Sequence, residues 1–317
     1  MSCSLTKGTL WAAVVAAVAM TAATDAAERR RWEAERMAMS VRFRIVMYEN
    51  VPGEFPGDAS GETLPKGVKT VLDDAFAKVG RLARSLSDYS VKSELNRVFR
   101  DAAPGTPMPV SADLAAVLAR AAVIADETDG AFDPTVGVLT RRWRQSQRGR
   151  PLPTSEEIDA LRVRVDREAF VVDPADSSVT VTRPDLLLDL GGIAKGYACD
   201  AALAVLRGHG VRSALVEGGG DLAVGDPPPG ADGWSVEIEG GETLTVANCG
   251  VATSGSTYRF QIVDGVKRSH VIDPRTGYGV TTPGTVTVIA DDGATADAWA
   301  SAESVRGTDG VIDRRTP

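Results

Sequence analysis

Apolar residues recur along the chain with two different periods, and the period assigns the element. From Ser40 to Tyr48, Val41, Phe43, Ile45 and Met47 fall at every second position, the pattern of a strand with one face turned inward. From Val68 the apolar positions become Val71, Leu72, Ala75, Phe76, Val79, Leu82, Ala83 and Leu86. Spacings of three and four put them on one stripe of an amphipathic helix. Ser111 is a good N-cap for a second helix running to about Glu127, with Leu114, Val117, Leu118, Ala121 and Ala125 on its inner face. Thr154 and Glu157 have capping-box spacing and predict a short helix ending near Arg162.

Beyond Arg162 the runs shorten. Residues 170–172 and 179–182 read as a hairpin around Asp173-Pro174. Leu186-Leu187-Leu188 leads through Asp189-Leu190-Gly191-Gly192 into a helix with Ile193, Tyr197, Ala201 and Ala204 on one stripe, stopping near Gly208 or Gly210. Further strands are predicted at 211–216, 234–238, 244–247, 258–263 and 284–289. Strands and helices do not alternate strictly. A doubly wound parallel sheet is therefore disfavoured and a mixed α+β architecture is expected. No internal repeat or low-complexity linker divides the chain after residue 40.

The first stretch is of another kind. Lys7 precedes an apolar run over residues 10–20, and Ala17-Val18-Ala19 offers a small-residue cleavage pattern, with Ala22-Ala23 and Ala26-Ala27 as alternatives. Residues 1–27 are expected to be an export signal; an uncleaved N-terminal anchor, with membrane association through it, is the minority alternative. Residues 28–38 are charged, show no apolar period, and read as a linker ahead of one domain over residues 39–317. Export would set Cys199 and Cys249 in an oxidising compartment, and whether they pair is not legible.

Composition narrows the classes. With 317 residues, 43% hydrophobic and 25% charged, the chain can bury a sizeable core and is not disordered. Its 35 basic and 43 acidic side chains leave a net charge of −8, which argues against general nucleic-acid binding. The three cysteines have no zinc-ligand spacing and cannot build a disulfide framework.

Several segments carry candidate chemistry. LLLDLGGIAKGYACD, residues 186–200, sets an acid, paired glycines and Lys195 at a strand-to-helix junction. Exposed N–H groups at such a junction attract phosphate, although taken alone the segment equally reads as a glycine turn with a solvated lysine. Asp297 and Ser301 lie four apart, hence on one helical face. Two hard oxygen ligands suit magnesium; an exposed Asp near a helix start is the plainer reading. His270 closes a strand beside the turn residues Asp273-Pro274 and Gly277, an acid/base candidate that is as readily structural. His209, between glycines at a helix end, reads as a helix-dipole contact. Thr253-Ser254-Gly255-Ser256 lacks the flanks of a nucleophile elbow and reads as a hydroxyl-rich turn near a ligand. Arg141, Arg142, Arg144, Arg148 and Arg150 around Trp143 read as a solvated basic loop, with an acidic partner or a phosphate as the sharper alternative. Cys199 has an acid next to it, and nothing there suggests a lowered thiol pKa.

Taken in order, these segments resemble the ApbE family, the FAD:protein FMN transferases. Met39-Ser40-Val41 resembles the family's opening element, and Leu86-Ser87-Asp88-Tyr89 with Ser93-Glu94-Leu95 its second. The run from Thr128 to Gly137, with Leu139 and Trp143, is similar to a long family motif. So are residues 189–200, Gly218-Gly219-Asp221 before Trp234, Ala252-Thr253-Ser254-Gly255, and residues 269–277. The similarity runs from about Met39 to Ser301.

The resemblance implies a mixed-sheet, T-fold-like α+β single domain with FAD held between two lobes. It implies FAD contacts at Met39, Tyr89, Ala131, Phe132, Asp133, Asp189, Lys195 and the stretch from His270 to Ile272. Magnesium is implied on Asp297 and Ser301, with backbone oxygens from Gly192 and Ala300. The implied reaction moves FMN from FAD to a threonine or serine hydroxyl of a target redox protein and releases AMP, with His270 and Asp297 as catalytic candidates. FAD pyrophosphatase activity, or an exported FAD-binding protein without catalysis, are the alternatives. An exported chain would act in the periplasm or on the outer face of the inner membrane. Ser40 replaces a family glycine and Ser301 a frequent threonine. The chain ends at Pro317 where the family usually continues with a helix and a terminal strand, and Glu303 and Arg306 fall where that helix is normally apolar, so a shortened C-terminal end and a poorly buttressed metal helix are expected.

Overall fold

The computed structural model describes residues 29–49, 64–255, 260–263, 265–281 and 284–315. The predicted export segment lies outside the described residues, as does most of the Pro/Gly-rich loop after Glu49. In chain order, β1 (Arg31–Ala38) and β2 (Val41–Tyr48) precede α1 (Lys66–Ser85), α2 (Glu94–Asp101), β3 (Met108–Pro109) and α3 (Ala112–Glu127). Next come α4 (Gly137–Gln147), α5 (Ser155–Arg162), β4 (Phe170–Asp173), β5 (Ser178–Val181) and α6 (Ala194–Gly208). Then follow β6 (Ala214–Gly218), β7 (Asp221–Val224), β8 (Trp234–Glu237), β9 (Thr243–Val246) and β10 (Cys249–Gly255). The last elements are β11 (Phe260–Val263), β12 (Val266–Ser269), β13 (Thr285–Ala290), α7 (Gly293–Arg306) and β14 (Gly310–Asp313).

A seven-stranded sheet in the order β1-β2-β6-β7-β10-β13-β14 forms the frame. Its neighbours are antiparallel except β13 and β14, which run parallel. A parallel pair needs a crossover, and α7 supplies it. The fold is thus mixed α+β, as the non-alternating pattern implies. One sheet face packs on the helices, through Phe43, Ile45, Leu72, Leu82, Leu118, Val216, Val288 and Trp299. The opposite face is covered by the β8–β9 hairpin, whose Trp234 is fully buried with Val46, Leu215, Val251 and Ile289. β2 is therefore buried on both sides over its second half. A smaller apolar cluster joins Leu139 and Trp143 of α4 with Ile158 of α5, Val263 and Ile272.

The predicted caps form as expected: Ser111 Oγ accepts from Leu114 N–H and Thr154 Oγ1 from Glu157 N–H. Three expectations are corrected. Residues 31–38 are a strand and not a linker, pairing along their whole length with β2. β1 lies at a sheet edge, where charged side chains are tolerated and protective, so its charges hid its register. Trp32 is buried, and Glu33 and Arg36 pair with Arg44 and Asp73. The basic run is a loop only at its end: Arg141, Arg142 and Arg144 lie on α4, with Arg142 buried against Glu157 at 2.6 Å, while Arg148 and Arg150 follow the helix and are exposed. Nor is the helix that carries Asp297 and Ser301 poorly buttressed. α7 is buried along most of its length, and the residues expected to be apolar tie it down as polar ones. Glu303 takes Arg306 at 2.7 Å and Thr308 at 2.6 Å, Arg306 reaches the Thr128 carbonyl at 2.9 Å, and β14 closes the sheet beyond.

Candidate functional site

A cleft of about 810 Å³ opens where the main core meets the smaller α4–α5 cluster. Met39, Tyr89, Ala131, Phe132, Asp133, Asp189, Gly192, Lys195, His270, Ile272, Asp297 and Ser301 all line it. Ala300 does not; it is buried on α7 behind the lining. Residues far apart in sequence thus meet in one concavity, and tight turns deliver most of them. Met39 and Ser40 both take positive φ, 49° and 63°, in the β1–β2 turn, as a two-residue hairpin with the strands' own twist requires. After α3 the chain turns through Asp129 and Gly130, also at positive φ, and Thr128 Oγ1 accepts from Phe132 N–H at 3.2 Å. Asp133 then caps a 3-10 turn by accepting from Thr135 N–H and Oγ1–H at 2.8 and 2.7 Å. Burial pushes the Asp133 carboxyl up despite those two donors.

The floor is built by α6 and α7. Lys195 Nζ stands 2.6 Å from the Asp221 carboxylate and 3.1 Å from that of Asp297, which also accepts from Gly196 N–H at 3.3 Å. Burial and the neighbouring Asp297 raise the Asp221 carboxyl, against the pull of Lys195. The two carboxylates in turn hold the Lys195 ammonium above its ordinary value, overcoming its burial. The helices touch backbone to backbone, because a Cβ on Gly196 would lie 2.0 Å from the Gly293 carbonyl oxygen. Asp200 of α6 fixes that contact by accepting from Gly293 and Ala294 N–H, both at 2.8 Å. Asp297 thereby faces Lys195. Ser301, one turn on, faces Gly192, where a Cβ would stand 2.6 Å from its Oγ.

One wall is electrostatic. Arg144 donates to Asp189 at 2.7 Å, pairs with Asp88, and lies 4.2 Å over the Tyr89 ring. Asp189 meanwhile accepts from Gly191 N–H at 2.8 Å, which shapes the turn into α6. Burial, and then the charge of Asp189, push Asp88 up to about 6 although Arg144 opposes both. On the rim, His270 is exposed directly after β12, and Ile272 bridges to Gly279. The loop between is fastened by Asp273, whose carboxylate holds Arg275 at 2.9 Å, and by Trp143 Nε1–H on the Gly277 carbonyl at 2.8 Å.

Arg144, Asp88 and Asp221 are site residues that sequence reasoning did not select. Asp88 and Asp221 sit inside quoted motifs, and the helical spacing of Val138, Leu139, Arg142 and Trp143 marks α4 as ordered. Thr253, Ser254 and Gly255 line the cleft, while Ser256 lies outside the described residues. His209 is elsewhere: it ends α6 and its Nε2 lies 2.9 Å from Asp74. Cys199 and Cys249 are free and buried, and burial raises both thiols; neither is an activated nucleophile.

The family model for the ApbE family matches residues 39–314, which takes in every wall of the cleft. The chain belongs to the ApbE family. It is 30% identical over 270 residues to the FAD:protein FMN transferase of Haemophilus influenzae, covering 80% of this chain and 76% of that relative. Against the flavin transferase ApbE from Vibrio cholerae the TM-score is 0.73 at 27% identity, covering 89% of this chain and 88% of that one. The ApbE protein of Thermotoga maritima gives 0.72 at 29% identity, with 88% of each chain covered. Like them, this ApbE chain has a mixed α+β fold. Among its described residues no three His, Cys, Asp or Glu side chains gather as a metal-holding group, and no helix is long and apolar enough to cross a membrane.

Proposed function

We propose that this chain is an exported flavin transferase that moves the FMN part of FAD to a threonine or serine hydroxyl of a redox protein and releases AMP. The observation that carries the reading is the convergence, in one cleft, of the motif residues with Lys195 and Asp297, the lysine being backed by Asp221. The relatives' names supply the reaction class. A dinucleotide needs a deep, mixed apolar and polar site, and about 810 Å³ is within the usual range for such ligands.

Magnesium fits the donor set present. The Asp297 carboxylate and Ser301 hydroxyl are hard oxygen ligands one helical turn apart, and the absence of a side chain at Gly192 leaves the space beside Ser301 open. The backbone oxygen of Gly192, which lines the cleft opposite Ser301, would add to the protein's share, whereas Ala300 lies behind the lining. When bound, the ion would neutralise pyrophosphate charge and stabilise the oxygen on which charge builds.

The chain's own residues do the rest. Lys195 and the amides entering α6 hold the phosphates, since phosphoryl transfer is mainly positioning and electrostatics. Phe132, Ala131 and Ile272 supply apolar contact and Tyr89 a stacking face. The acceptor oxygen bonds to the FMN-side phosphorus, the bond from that phosphorus to the bridging oxygen breaks, and AMP leaves with that oxygen. His270, on the rim where an acceptor arrives, takes the proton of the incoming hydroxyl.

The test incubates the purified protein with FAD, Mg²⁺ and a threonine-bearing segment of a flavinylated redox subunit. Intact mass and AMP are read from the same tube. An FMN-sized gain on the acceptor matched by AMP is expected; AMP without the adduct would show hydrolysis, and bound FAD with neither product a binder. His270→Ala should keep FAD affinity within about threefold yet slow transfer at least about a hundredfold. Normal transfer by that variant would remove His270 from the reaction.

A further inference from the structure

The cleft floor places one ammonium between two carboxylates, of which Asp297 lines the cleft and Asp221 does not. Asp221 opens β7 immediately after the Gly218-Gly219-Gly220 turn, and its side chain is only 3% exposed. That turn needs its glycines: Gly219 and Gly220 hold φ of 64° and 99°, and a Cβ on Gly218 would lie 2.6 Å from the Phe43 ring. Asp297 stands on the cleft side of α7, where Ser301 follows one turn later. Lys195 reaches both from a flexible four-carbon stem, at 2.6 Å to Asp221 and 3.1 and 3.2 Å to the two Asp297 oxygens. A lysine is a compact point charge whose three donors can change partners without a change of backbone.

A divalent ion on Asp297 and this ammonium would be like charges on one carboxylate, so both cannot hold it at full strength. We propose that Lys195 is a resident counter-cation, occupying the Asp297 carboxylate until a divalent metal takes it. Asp221 then retains the ammonium and keeps its charge on the floor beside the metal. Asp221 is on this account a positioning residue. The inference rests on the reading of Asp297 as a metal ligand. It explains a pairing that reading leaves unused: a carboxylate reserved for a metal is here bonded to a lysine, and a second carboxylate waits directly behind that lysine. It also keeps the metal-free floor from presenting two buried carboxylates to each other, an arrangement that is costly without a cation.

The test is calorimetric titration of Mn²⁺ into the full-length protein without FAD, comparing wild type, Lys195→Met, Asp221→Asn and the double variant. Lys195→Met, freed of the competing ammonium, should bind Mn²⁺ about tenfold or more tightly than wild type. Asp221→Asn, in which the ammonium has only Asp297 to hold, should bind about tenfold more weakly, and most of that loss should vanish in the double variant. A crystal structure with Mn²⁺ should show Lys195 Nζ still on Asp221 and beyond hydrogen-bond reach of Asp297. Lys195→Met leaves its carboxylates bare, so Mn²⁺ should also raise its melting temperature more than that of wild type. If it does not fold, the near-isosteric Asp221→Asn and the Mn²⁺ structure carry the test. Equal Mn²⁺ affinity in wild type and the folded variants, or Lys195 still on Asp297 with metal bound, would overturn the counter-cation while leaving the metal site intact. A wild type that binds Mn²⁺ no better than Asp297→Ala would overturn both readings.

Discussion

A single guanidinium sets the character of one cleft wall. Arg144 lies between Asp88 and Asp189 and over Tyr89, with a quarter of its side chain exposed. Arg144→Ala would leave two largely buried carboxylates facing each other, and partial exposure tempers the cost to about 1–3 kcal/mol. The urea midpoint should fall accordingly, and FAD should bind about tenfold more weakly as Tyr89 and the Asp189 turn lose their anchor. Unchanged FAD affinity in a folded variant would detach this wall from the ligand. The same residue shows where sequence reading stops. Asp297 and Ser301 were legible because their spacing is local, and Gly191-Gly192 because glycine pairs mark turns. Arg144 was not, since its role comes from a partner 56 residues away. In sequence it is one arginine among five; only the fold separates buried Arg142 and bridging Arg144 from the rest.

At the scale of elements, the α6–α7 contact positions the whole floor. Gly196 has no room for a side chain against the Gly293 carbonyl, and Asp200 clamps the start of α7 with two hydrogen bonds. Gly196→Ala must push the helices apart, at a cost of about 3 kcal/mol or more. It should separate Lys195 from Asp297, so transfer should fall further than the loss of folded protein explains, as urea unfolding and activity on the same samples would show. Long periodic elements such as α1 and α3 were readable because many apolar positions repeat the same signal. β7, β12 and β14 have four residues each, too few to establish a period. β10 is CGVATSG, where small and hydroxyl side chains give little contrast between faces. β1 failed for the opposite reason, as its charges belong to an edge. α2 is capped by Ser93 yet only eight residues long, so its signal merged with the motif that contains it.

For the molecule as a whole, buried acids set the response to pH. Burial raises Asp88 to about 6 and Asp200 to about 7, from an ordinary 3.8. Each holds its proton more tightly folded than unfolded, so its favourable contribution is complete below about pH 4 and is lost as pH rises through 6 to 7. Glu33 and Glu94 have the reverse shift, with arginine contacts lowering the first and hydroxyl and amide donors lowering the second against their desolvation. Their contribution is lost only in acid below about 4.5. In EDTA and without FAD, the melting temperature should therefore peak near pH 5 and decline toward pH 8, and Asp200→Asn should flatten that decline. A melting temperature that climbs from pH 5 to 8 would contradict these assignments. The topology adds a constraint in time. The cleft draws its walls from Met39 at one end of the sheet and Ser301 near the last strand, with α7 inserted between β13 and β14. A chain emerging from a ribosome or a translocation pore therefore owns no complete cleft until its final helix has docked. On the proposed function, competence for transfer is therefore the last property the growing chain acquires.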